Sequence, residues 1–388
     1  MLKRNTILIF ITIIFLFFSC EEKKIKKISF AETVENNEVA VDSVFREKSL
    51  AIDKYFQNIH KRRGFNGCAL VAQNGKVIYK KAFGWADFKT KEPLKTASAF
   101  QLASVSKQFT AVAIMMLKEK GKLNYDDDVQ KFIPEFPYQN ISIRMLLAHR
   151  SGLPNYTYFC DHLCPDKETP ISNKKVIQMF AQHRPPLYFR PNRRHQYSNT
   201  GYCVLAAIVE KISEKPFENF MKREVFEPMG MHHSLIYNKA NFPEIPNQVS
   251  GYILNGRKAE PDFLDGVVGD KGVYSTVEDL YRWDMALHNG KFLKKSTLEE
   301  AHTPANKDLR GNRNYGFGWR IYFNETNEKI VYHGGWWHGF KTYFMRNIPK
   351  ETTVIILTNR EYWNFSDINS LLGIVYPNSS APTDDTQD

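Results

Sequence analysis

The strongest hydrophobic pattern in the chain lies in the segment LASVSKQFTAVAIMMLKEKGKL, residues 102–123. Its apolar run from Ala111 to Leu117 is too long for a strand whose side chains alternate between two faces. A helix with this run would be apolar all round, so the pattern predicts a buried helix that begins at Ser104 and stops at the glycine of KEKGK. Its first turn would then carry a cation, Lys107, which is unfavourable at a helix N-terminus.

Patterns typical of strands lie on both sides of this helix along the chain. Before it, GCALVAQNGKVIYKKAFGWAD contains two β-rich runs joined by Asn74-Gly75, a strong hairpin signal. After a long, mainly helical stretch, strand patterns return in YGFGWRIYF, KIVYHGG, GFKTYFMRN and TVIILTN. We therefore predict an α+β fold: one antiparallel sheet built from both ends of the chain and flanked by helices, with an all-helical region inserted between the two ends.

The N-terminus carries the pattern of an export signal. Lys3 and Arg4 precede an apolar run that is too short to favour a spanning helix and that ends in LFFSC, which resembles the lipobox of bacterial lipoproteins. We expect a lipoprotein-type signal peptide over residues 1–20 and lipidation of Cys20. The protein would then be anchored through Cys20 to a membrane of the bacterial cell envelope, facing the periplasm or the cell surface. The alternatives are an ordinary signal peptide or a membrane anchor.

The remaining chain is divided by its composition. The charged, polar segment 21–48 is predicted to be a flexible tether. Residues 49–378 are expected to form one domain, with an α/β part at about 49–124 and 310–378 and a helical part at about 125–309, before a disordered tail over 379–388. The formal net charge of +11 is spread along the chain without a recognition motif, so we expect no nucleic-acid partner.

Four cysteines follow the signal segment. Cys68 and Cys203 have apolar neighbours and are expected to be buried thiols. Cys160 and Cys164 lie in the polar segment YFCDHLCPDK, where an exported protein is able to form a local disulfide. With His162 the same segment offers three metal ligands but no evident fourth, so we expect no metal site and leave the disulfide open.

Ser104 and Lys107 are the first candidates for chemistry. A helix would place them on one face, within reach of a hydrogen bond. A serine hydroxyl becomes a nucleophile when a base removes its proton, and burial lowers the pKa of a lysine so that its neutral amine is able to act as that base. The same pattern also arises by chance, with Ser104 as a helix N-cap and Lys107 at a wet edge.

Two later segments offer chemistry that fits the catalytic interpretation. Tyr197 and Asn199 precede another apolar helix, and a phenol relays protons while an amide holds a lysine or a substrate. His333, Gly334 and Gly335 end a predicted strand, where glycines allow a ligand to approach and a free N–H group stabilises an oxyanion. Each segment also has an ordinary interpretation, as a capping loop and as a β-bulge or turn.

The order of the three motifs is far more specific than any one of them. Ser-x-x-Lys, Tyr-x-Asn about 90 residues later, and a basic residue with two glycines on a late strand resemble the serine β-lactamase and penicillin-binding-protein superfamily. The sequence looks most like the class C β-lactamase-related branch, which LLAHRSGLP, FEPMGM, GVYSTVEDLYRW and YGFGW also fit. The resemblance covers roughly residues 50–375 and implies a β-lactamase/transpeptidase-like fold.

The resemblance also implies a role for each residue of the motifs. Ser104 would be the acylated nucleophile and Lys107 its proton acceptor. Tyr197 would relay the proton to the leaving group and activate the deacylating water, and Asn199 would position the substrate and Lys107. The backbone N–H groups of Ser104 and Trp336 would form the oxyanion hole, His333 would take the position of the lysine in Lys-Thr-Gly, and Gly334, Gly335 and Trp337 would contact the substrate. No cofactor is implied.

Two departures from the family pattern bear on the substrate. His333 carries a positive charge at neutral pH only if its surroundings favour it, and Trp336 with Trp337 predicts an aromatic wall. We predict an exported serine hydrolase that forms an acyl-enzyme on Ser104, with a D-amino-acid peptide or a small acyl ester as substrate and peptidoglycan as a candidate partner. The alternatives are a β-lactamase and a penicillin-binding sensor that turns over slowly.

Overall fold

The computed structural model describes residues 43–238, 245, 247–290, 292–361 and 368–376. The predicted signal peptide, Cys20, the tether up to residue 42 and the C-terminal tail lie outside the described residues. Within the described ranges, no helix combines the length and the apolar character that crossing a membrane requires.

Twelve strands contribute to three antiparallel sheets in the described residues. They are β1 (Gly67–Gln73), β2 (Lys76–Phe83), β3 (Trp85–Asp87), β4 (Glu92–Pro93), β5 (Phe100–Gln101), β6 (Leu235–Ile236), β7 (Val273–Ser275), β8 (Arg313–Tyr315), β9 (Arg320–Phe323), β10 (Lys329–Trp337), β11 (Phe340–Asn347) and β12 (Thr352–Thr358). The main sheet has seven strands in the order β2-β1-β12-β11-β10-β9-β8, while β3 pairs with β4 and β5-β7-β6 form a small third sheet. The main sheet therefore joins the two ends of the chain, as the hydrophobic pattern predicts.

In the part of the chain that the structure describes, ten α-helices surround the sheet or fill the inserted region. They are α1 (Ser43–Arg63), α2 (Ser106–Glu119), α3 (Ile143–Leu147), α4 (Tyr156–Leu163), α5 (Asn173–His183), α6 (Asn199–Ser213), α7 (Phe217–Met221), α8 (Val277–His288), α9 (Lys295–Ala301) and α10 (Ile368–Val375). Short 3₁₀ turns precede α2 and lie at Val129–Lys131 and Phe263–Gly266, and a π turn at Lys222–Phe226 follows α7.

The main sheet is buried on both faces. Successive side chains of a strand point to opposite sides, so Leu70 and Ile355 enter one apolar cluster with α2 and α8. Val71 and Ile356 enter the other cluster, which α1 and α10 cover. The strand β12 lies in the middle of the sheet, between β1 and β11, and all of its residues are buried. Helices on both faces complete the mixed α+β architecture that we expected.

The helix α2 runs through the larger apolar cluster. Every residue from Ser106 to Leu117 is buried, which confirms the predicted core helix. The helix begins two residues later than predicted, because Ser104 lies in a 3₁₀ turn, Ala103–Val105, that precedes it. The backbone enters this turn at Ala103 with φ 49°, a left-handed conformation that is rare for residues other than glycine. No side chain caps the turn or the helix, so Ser104 is not an N-cap.

Two boundaries differ from the sequence-based expectation. The helix α1 begins at Ser43, inside the segment predicted as tether, because Phe45 packs against the cluster beneath α1 and α10 and gives the first turn an apolar contact. The inserted region is mainly helical but also supplies β6 and β7: β7 pairs with β5 next to the start of α2, and β6 pairs with the other side of β7. These short strands bring the inserted region against the turn that carries Ser104.

Candidate active site

The turn that carries Ser104 is held against β10 and β11 of the main sheet. Thr342 of β11 donates a hydrogen bond from its hydroxyl to the carbonyl oxygen of Leu102 at 2.7 Å. Gly335 of β10 approaches the same carbonyl so closely that a Cβ there would lie 2.2 Å from it. A glycine is therefore required at this point of β10, and the strained φ of Ala103 lies next to the nucleophile, as at many functional sites.

Lys107 is fully buried and contacts three polar groups. Its Nζ lies 3.0 Å from Ser104 Oγ, 2.9 Å from Asn199 Oδ1 and 2.9 Å from the backbone oxygen of Asp270. The two carbonyl oxygens only accept hydrogen bonds, so they take two N–H groups of the amine. In the neutral amine the lone pair then faces the Ser104 hydroxyl, which is the arrangement that a general base needs.

The electrostatic surroundings favour that neutral amine. Desolvation by burial lowers the pKa of Lys107 from 10.5 to about 7. The Asp270 carboxylate opposes this shift, whereas the cations Lys271 and Arg320 add to it. At neutral pH a large share of the molecules therefore carries Lys107 uncharged.

Tyr197 and Asn199 reach Lys107 from the start of α6. Ser198 caps this helix by accepting a hydrogen bond from the Gly201 N–H at 3.3 Å, which places Asn199 in the first turn. The Lys107 Nζ lies 4.8 Å from the centroid of the Tyr197 ring. The structure thus brings the first two motifs together around the Ser104 hydroxyl.

A residue whose role the sequence did not reveal supports the Tyr197 loop. His149, from LLAHRSGLP, is buried, and its Nδ1 accepts a hydrogen bond from the Ser198 N–H at 3.1 Å. Its ring centroid lies 4.3 Å from that of Tyr197. Burial holds the pKa of His149 well below its ordinary value, so the ring is neutral and acts as an acceptor and a packing surface.

His333 is buried and held by two hydrogen bonds. Its Nδ1 lies 2.7 Å from the Gly334 carbonyl oxygen, and its Nε2 lies 3.0 Å from the Tyr315 hydroxyl. A carbonyl only accepts, so Nδ1 carries the proton and Nε2 accepts from Tyr315. Burial and the nearby cations Arg320 and Lys107 hold the pKa of His333 well below its ordinary value. The charge that the sequence left conditional is therefore absent at neutral pH.

Arg320 is a fixed cation among the residues that line the cavity, and the sequence did not reveal its role. Its guanidinium carbon lies 5.4 Å from the centroid of the Tyr197 ring, and it lines the same cavity as Ser104 and His333. Arg320 directly follows YGFGW, so the motif was a signal for it. The cavity thus has an always-charged group on β9, whose charge acts on the neutral His333 of β10.

All three motifs open onto one cavity of about 500 Å³. The helix α4 and the residue before it form one wall, through side chains between residues 155 and 161, and the 3₁₀ turn Phe263–Gly266 contributes to the rim. The cavity is lined by Ser104, Asn155, Thr157, Tyr158, Asp161, Tyr197, Asn199, Asp262, Phe263, Leu264, Arg320, His333, Gly334, Trp336 and Trp337. Another cavity, of about 580 Å³, has a serine that only caps α3, so it lacks a nucleophile–base pair.

The two tryptophans form the aromatic wall that the sequence predicts. Trp336 is 51% exposed and donates from Nε1 to Glu361 at 2.9 Å. Trp337 donates from Nε1 to Asp265 at 2.8 Å.

A group of side chains that could hold a metal ion lies beside this contact. It consists of Asp262, Asp265 and His338, whose possible metal-ligand atoms lie within 4.8 Å of one another. The His338 Nε2 lies 3.5 Å from a carboxylate oxygen of each aspartate, so the trio is explained by its internal contacts.

The cysteines of the described residues are free thiols. Cys160 and Cys164 lie on one side of α4 and at its end, and both sulfurs contact Met179 of α5, at 3.9 and 3.6 Å. The disulfide that the sequence left open is not formed. Cys68 and Cys203 are buried, as expected, and burial raises the pKa of each thiol.

A serine that lines the cavity next to a buried lysine, with a tyrosine and an asparagine at the start of α6 and a strand with two glycines beside them, defines the site of a serine hydrolase that uses lysine as its base. The comparisons with known proteins agree. The family model described as Beta-lactamase matches residues 52–372, so the chain belongs to the β-lactamase family of serine hydrolases.

A curated relative shows the same family, and solved structures share the fold. The chain is 37% identical over 331 residues to "Penicillin-binding protein 4*" of Bacillus subtilis (strain 168), with 81% of this chain and 73% of that protein covered. The octameric penicillin-binding protein homologue from Pyrococcus abyssi has a similar fold, with a TM-score of 0.73, 27% identity, and 84% and 76% of the two chains covered. The D-amino acid amidase from Ochrobactrum anthropi SV3 shares the fold at 21% identity and a TM-score of 0.71, over 85% of this chain and 98% of that one.

Proposed function

We propose that the protein hydrolyses D-amino-acid peptides through an acyl-enzyme on Ser104. One observation carries the proposal: the buried amine of Lys107, with a pKa of about 7, lies 3.0 Å from the Ser104 hydroxyl. In the acylation step Lys107 takes the hydroxyl proton, the Ser104 oxygen bonds to the substrate carbonyl carbon, and the carbon–nitrogen bond then breaks. Water later breaks the new ester bond and releases the acid.

The other residues of the motifs complete this reaction. Tyr197, next to Lys107, passes the proton to the departing amine, so that the amine leaves uncharged. The backbone N–H groups of Ser104 and Trp336 stabilise the oxyanion that forms when the carbonyl is attacked. Asn199 orients the Lys107 amine through its side-chain oxygen. Gly334, Gly335 and Trp337 contact the substrate along β10.

The arginine in the cleft favours a substrate with a carboxylate. A guanidinium binds carboxylates in a bidentate manner and stays charged at every relevant pH. Arg320 lies beside Tyr197, so a peptide whose scissile carbonyl is at Ser104 would place its C-terminal carboxylate near Arg320. The relative named a penicillin-binding protein supports a peptide-like ligand. Carboxypeptidase-like cleavage of the last D-residue follows, with peptidoglycan peptides as the natural class.

A second candidate substrate is a small acyl ester. The neutral state of His333 favours an ester substrate. Because His333 adds no positive charge to that of Arg320, the cavity does not require an anionic substrate. An ester also needs less help from Tyr197, since an alkoxide or phenoxide leaves more readily than an amine. The β-lactamase and sensor alternatives use the same Ser104 chemistry and differ in the rate of deacylation.

The experiment uses the purified full chain with three substrates: N-acylated D-alanyl-D-alanine, p-nitrophenyl acetate and a fluorescent penicillin. We expect release of D-alanine by the parental protein and by Ser296→Ala, which alters an exposed serine of α9, and none by Ser104→Ala. Ester turnover without peptide turnover would favour the esterase. A lasting penicillin adduct without any turnover would favour the sensor, and activity that survives in Ser104→Ala would refute the mechanism.

The role of Arg320 has its own test. Arg320→Met should raise the KM for the peptide acid and leave the KM for the matching peptide amide unchanged. Arg62→Met, which removes an exposed cation of α1, serves as the control. An equal rise for acid and amide would remove the carboxylate contact from the proposal.

Export and anchoring are proposed from residues 1–20 alone. We propose that Cys20 becomes the lipidated N-terminus in the cell envelope. Mass spectrometry of the protein from membranes of the native cell should find a diacylated Cys20, and a Cys20→Ala variant should appear in the soluble fraction. An unmodified N-terminus upstream of Cys20 would refute the anchor.

A further inference from the structure

A buried ion pair that the proposed mechanism does not use lies directly behind Lys107. Asp270 and Lys271 are adjacent, almost fully buried, and come just before β7. The Lys271 Nζ donates to the Tyr156 hydroxyl at 2.6 Å and to the Val267 carbonyl oxygen at 3.2 Å. The Tyr156 hydroxyl in turn donates to the Asp270 carboxylate at 2.9 Å, so the three side chains form a closed network.

This network is connected to both the catalytic amine of Lys107 and the wall of the cleft. The backbone oxygen of Asp270 accepts a hydrogen bond from the Lys107 Nζ at 2.9 Å. Tyr156 is the first residue of α4, which covers the cavity, and Lys271 lies 5.0 Å from the ring centroid of Trp337. A change in the network would therefore move a direct partner of the catalytic amine.

A contribution to folding stability is a weak explanation for the presence of a buried ion pair at this position. Taking two opposite charges out of water requires a desolvation energy that their attraction often fails to recover, and apolar replacements of buried pairs are frequently neutral or stabilising. Asp270 and Lys271 also act on Lys107 with opposite signs, because the carboxylate favours the charged amine and the ammonium disfavours it.

We propose that Asp270 and Lys271 are positioning residues for Lys107. Together with Tyr156 they fix the carbonyl group that orients the Lys107 amine, and their opposed charges set how readily that amine loses its proton. The inference rests on the proposed role of Lys107 as a base, but its test does not require turnover.

The other charged and titratable groups around Lys107 do not mask the effect of Asp270 and Lys271 on its protonation. His149 and His333 are held neutral by burial, and Arg320 is a constant cation. The rings of Tyr197 and Tyr202 face the amine, at 4.8 and 5.7 Å from their centroids. The groups that face the Asp270–Lys271 pair are Tyr156, Cys160, Cys203, Asp265 and Trp337. Burial raises the pKa of Tyr156 and of both cysteine thiols, so these three groups stay uncharged at neutral pH.

The test measures the titration of Lys107 itself, by NMR of the full chain with ¹³C-labelled lysine and with Lys107→Arg to assign the signal. Asp270→Asn should lower the Lys107 midpoint and Lys271→Met should raise it, each by about half a pH unit or more, which is about a threefold change in the ratio of neutral to charged amine. Lys271→Arg keeps the charge and should restore the parental midpoint. The double variant Asp270→Asn with Lys271→Met should lie between the two single variants.

Two further variants separate positioning from stability. Asp284→Asn breaks another buried ion pair, between Asp284 and Arg346. The Asp284 carboxylate is not among the charges that shift the pKa of Lys107. Asp284→Asn should lower the stability of the protein and leave the Lys107 titration midpoint unchanged.

Tyr156→Phe keeps both charges of the pair and is the milder variant if Asp270→Asn does not fold. It should leave the Lys107 midpoint within about 0.3 pH units of the parental value. It should lower the rate of Ser104 acylation about tenfold.

The outcomes distinguish this inference from the proposed function. Equal midpoints in all variants would overturn the role of the pair, whether or not the parental protein hydrolyses a peptide. Shifts of opposite sign in Asp270→Asn and Lys271→Met would support it even if the substrate is an ester. Shifts of the same sign, or rates in Tyr156→Phe equal to the parental rate, would reduce the network to a structural role and refute the proposal.

Discussion

Replacement of Lys107 by methionine tests the burial of a titratable amine in the core of the site. Burial lowers the pKa of Lys107 from 10.5 to about 7. In the unfolded chain the amine has its ordinary pKa, so between pH 7 and pH 10.5 the unfolded state binds a proton that the folded state lacks. The free energy of unfolding of the parental protein therefore rises with pH in this window. A methionine side chain does not titrate, so the Lys107→Met variant lacks this contribution to the pH dependence of stability.

The size of the effect follows from the change in pKa. Each pKa unit corresponds to about 1.4 kcal/mol, so the folded protein is destabilised by about 5 kcal/mol at neutral pH and by nothing above about pH 10.5. Methionine removes this destabilisation but leaves the oxygens of Asn199 and Asp270 without their donor, at about 1–3 kcal/mol each. That loss does not vary with pH. The pH dependence of the difference between the two proteins therefore isolates the amine of Lys107.

The assay is urea unfolding of Lys107→Met and of the parental protein at several pH values between about 7 and 9.5. We expect the stability of Lys107→Met relative to the parental protein to fall as the pH rises, by about 0.7 kcal/mol per pH unit near pH 7 and by about 1.4 kcal/mol per pH unit above about pH 8. Lys54→Met, which replaces an exposed lysine of α1, should show no trend. A difference for Lys107→Met that is independent of pH would refute a buried neutral amine, and with it the base in the mechanism.

Three further predictions concern the site and the core. The acylation rate with p-nitrophenyl acetate should rise about tenfold from about pH 6 to pH 8, because the neutral fraction of Lys107 rises over this range; a flat profile would contradict this. Gly335→Ala should abolish labelling by fluorescent penicillin, since its Cβ would lie 2.2 Å from a backbone oxygen, whereas Gly373→Ala, with open space around it, should label normally. Trp283→Ala, which empties a fully buried site, should lower the free energy of unfolding by about 3–5 kcal/mol in urea; a loss below about 1 kcal/mol would show that the core repacks.

The parts of the site that lie close together along the chain were predictable. The spacing of Ser104 and Lys107 puts them within reach of each other in a helix or in a 3₁₀ turn, so the error in the start of α2 did not affect the pair. Asn199 could be assigned because the order of the motifs is specific. The two-ended sheet followed from the apolar runs, since seven buried residues in β12 require neighbours on both sides.

The remaining parts depend on contacts that spacing does not encode. Arg320 and Asp270 approach Lys107 across the fold, from β9 and from the loop before β7. The motif YGFGW draws attention to the neighbourhood of Arg320 but does not show that this side chain reaches the site, and Asp270 has no pattern that distinguishes it from an ordinary surface charge. The neutral state of His333 depends on burial and on the Tyr315 hydroxyl, which only the packed sheet supplies. The left-handed φ of Ala103 had no signal, because the residue is not a glycine.

The position of β12 has a consequence for how the protein reaches its folded state. This strand is near the end of the chain, yet Thr358 pairs with Gly67 on one side and Lys341 on the other. A polypeptide without β12 in place lacks the strand that joins β1 to β11, so the hairpin of β1 and β2 and the strands β8–β11 each present an open apolar edge. Pairing over such a sequence separation is slow, so the folding polypeptide is exposed to aggregation until β12 has been inserted.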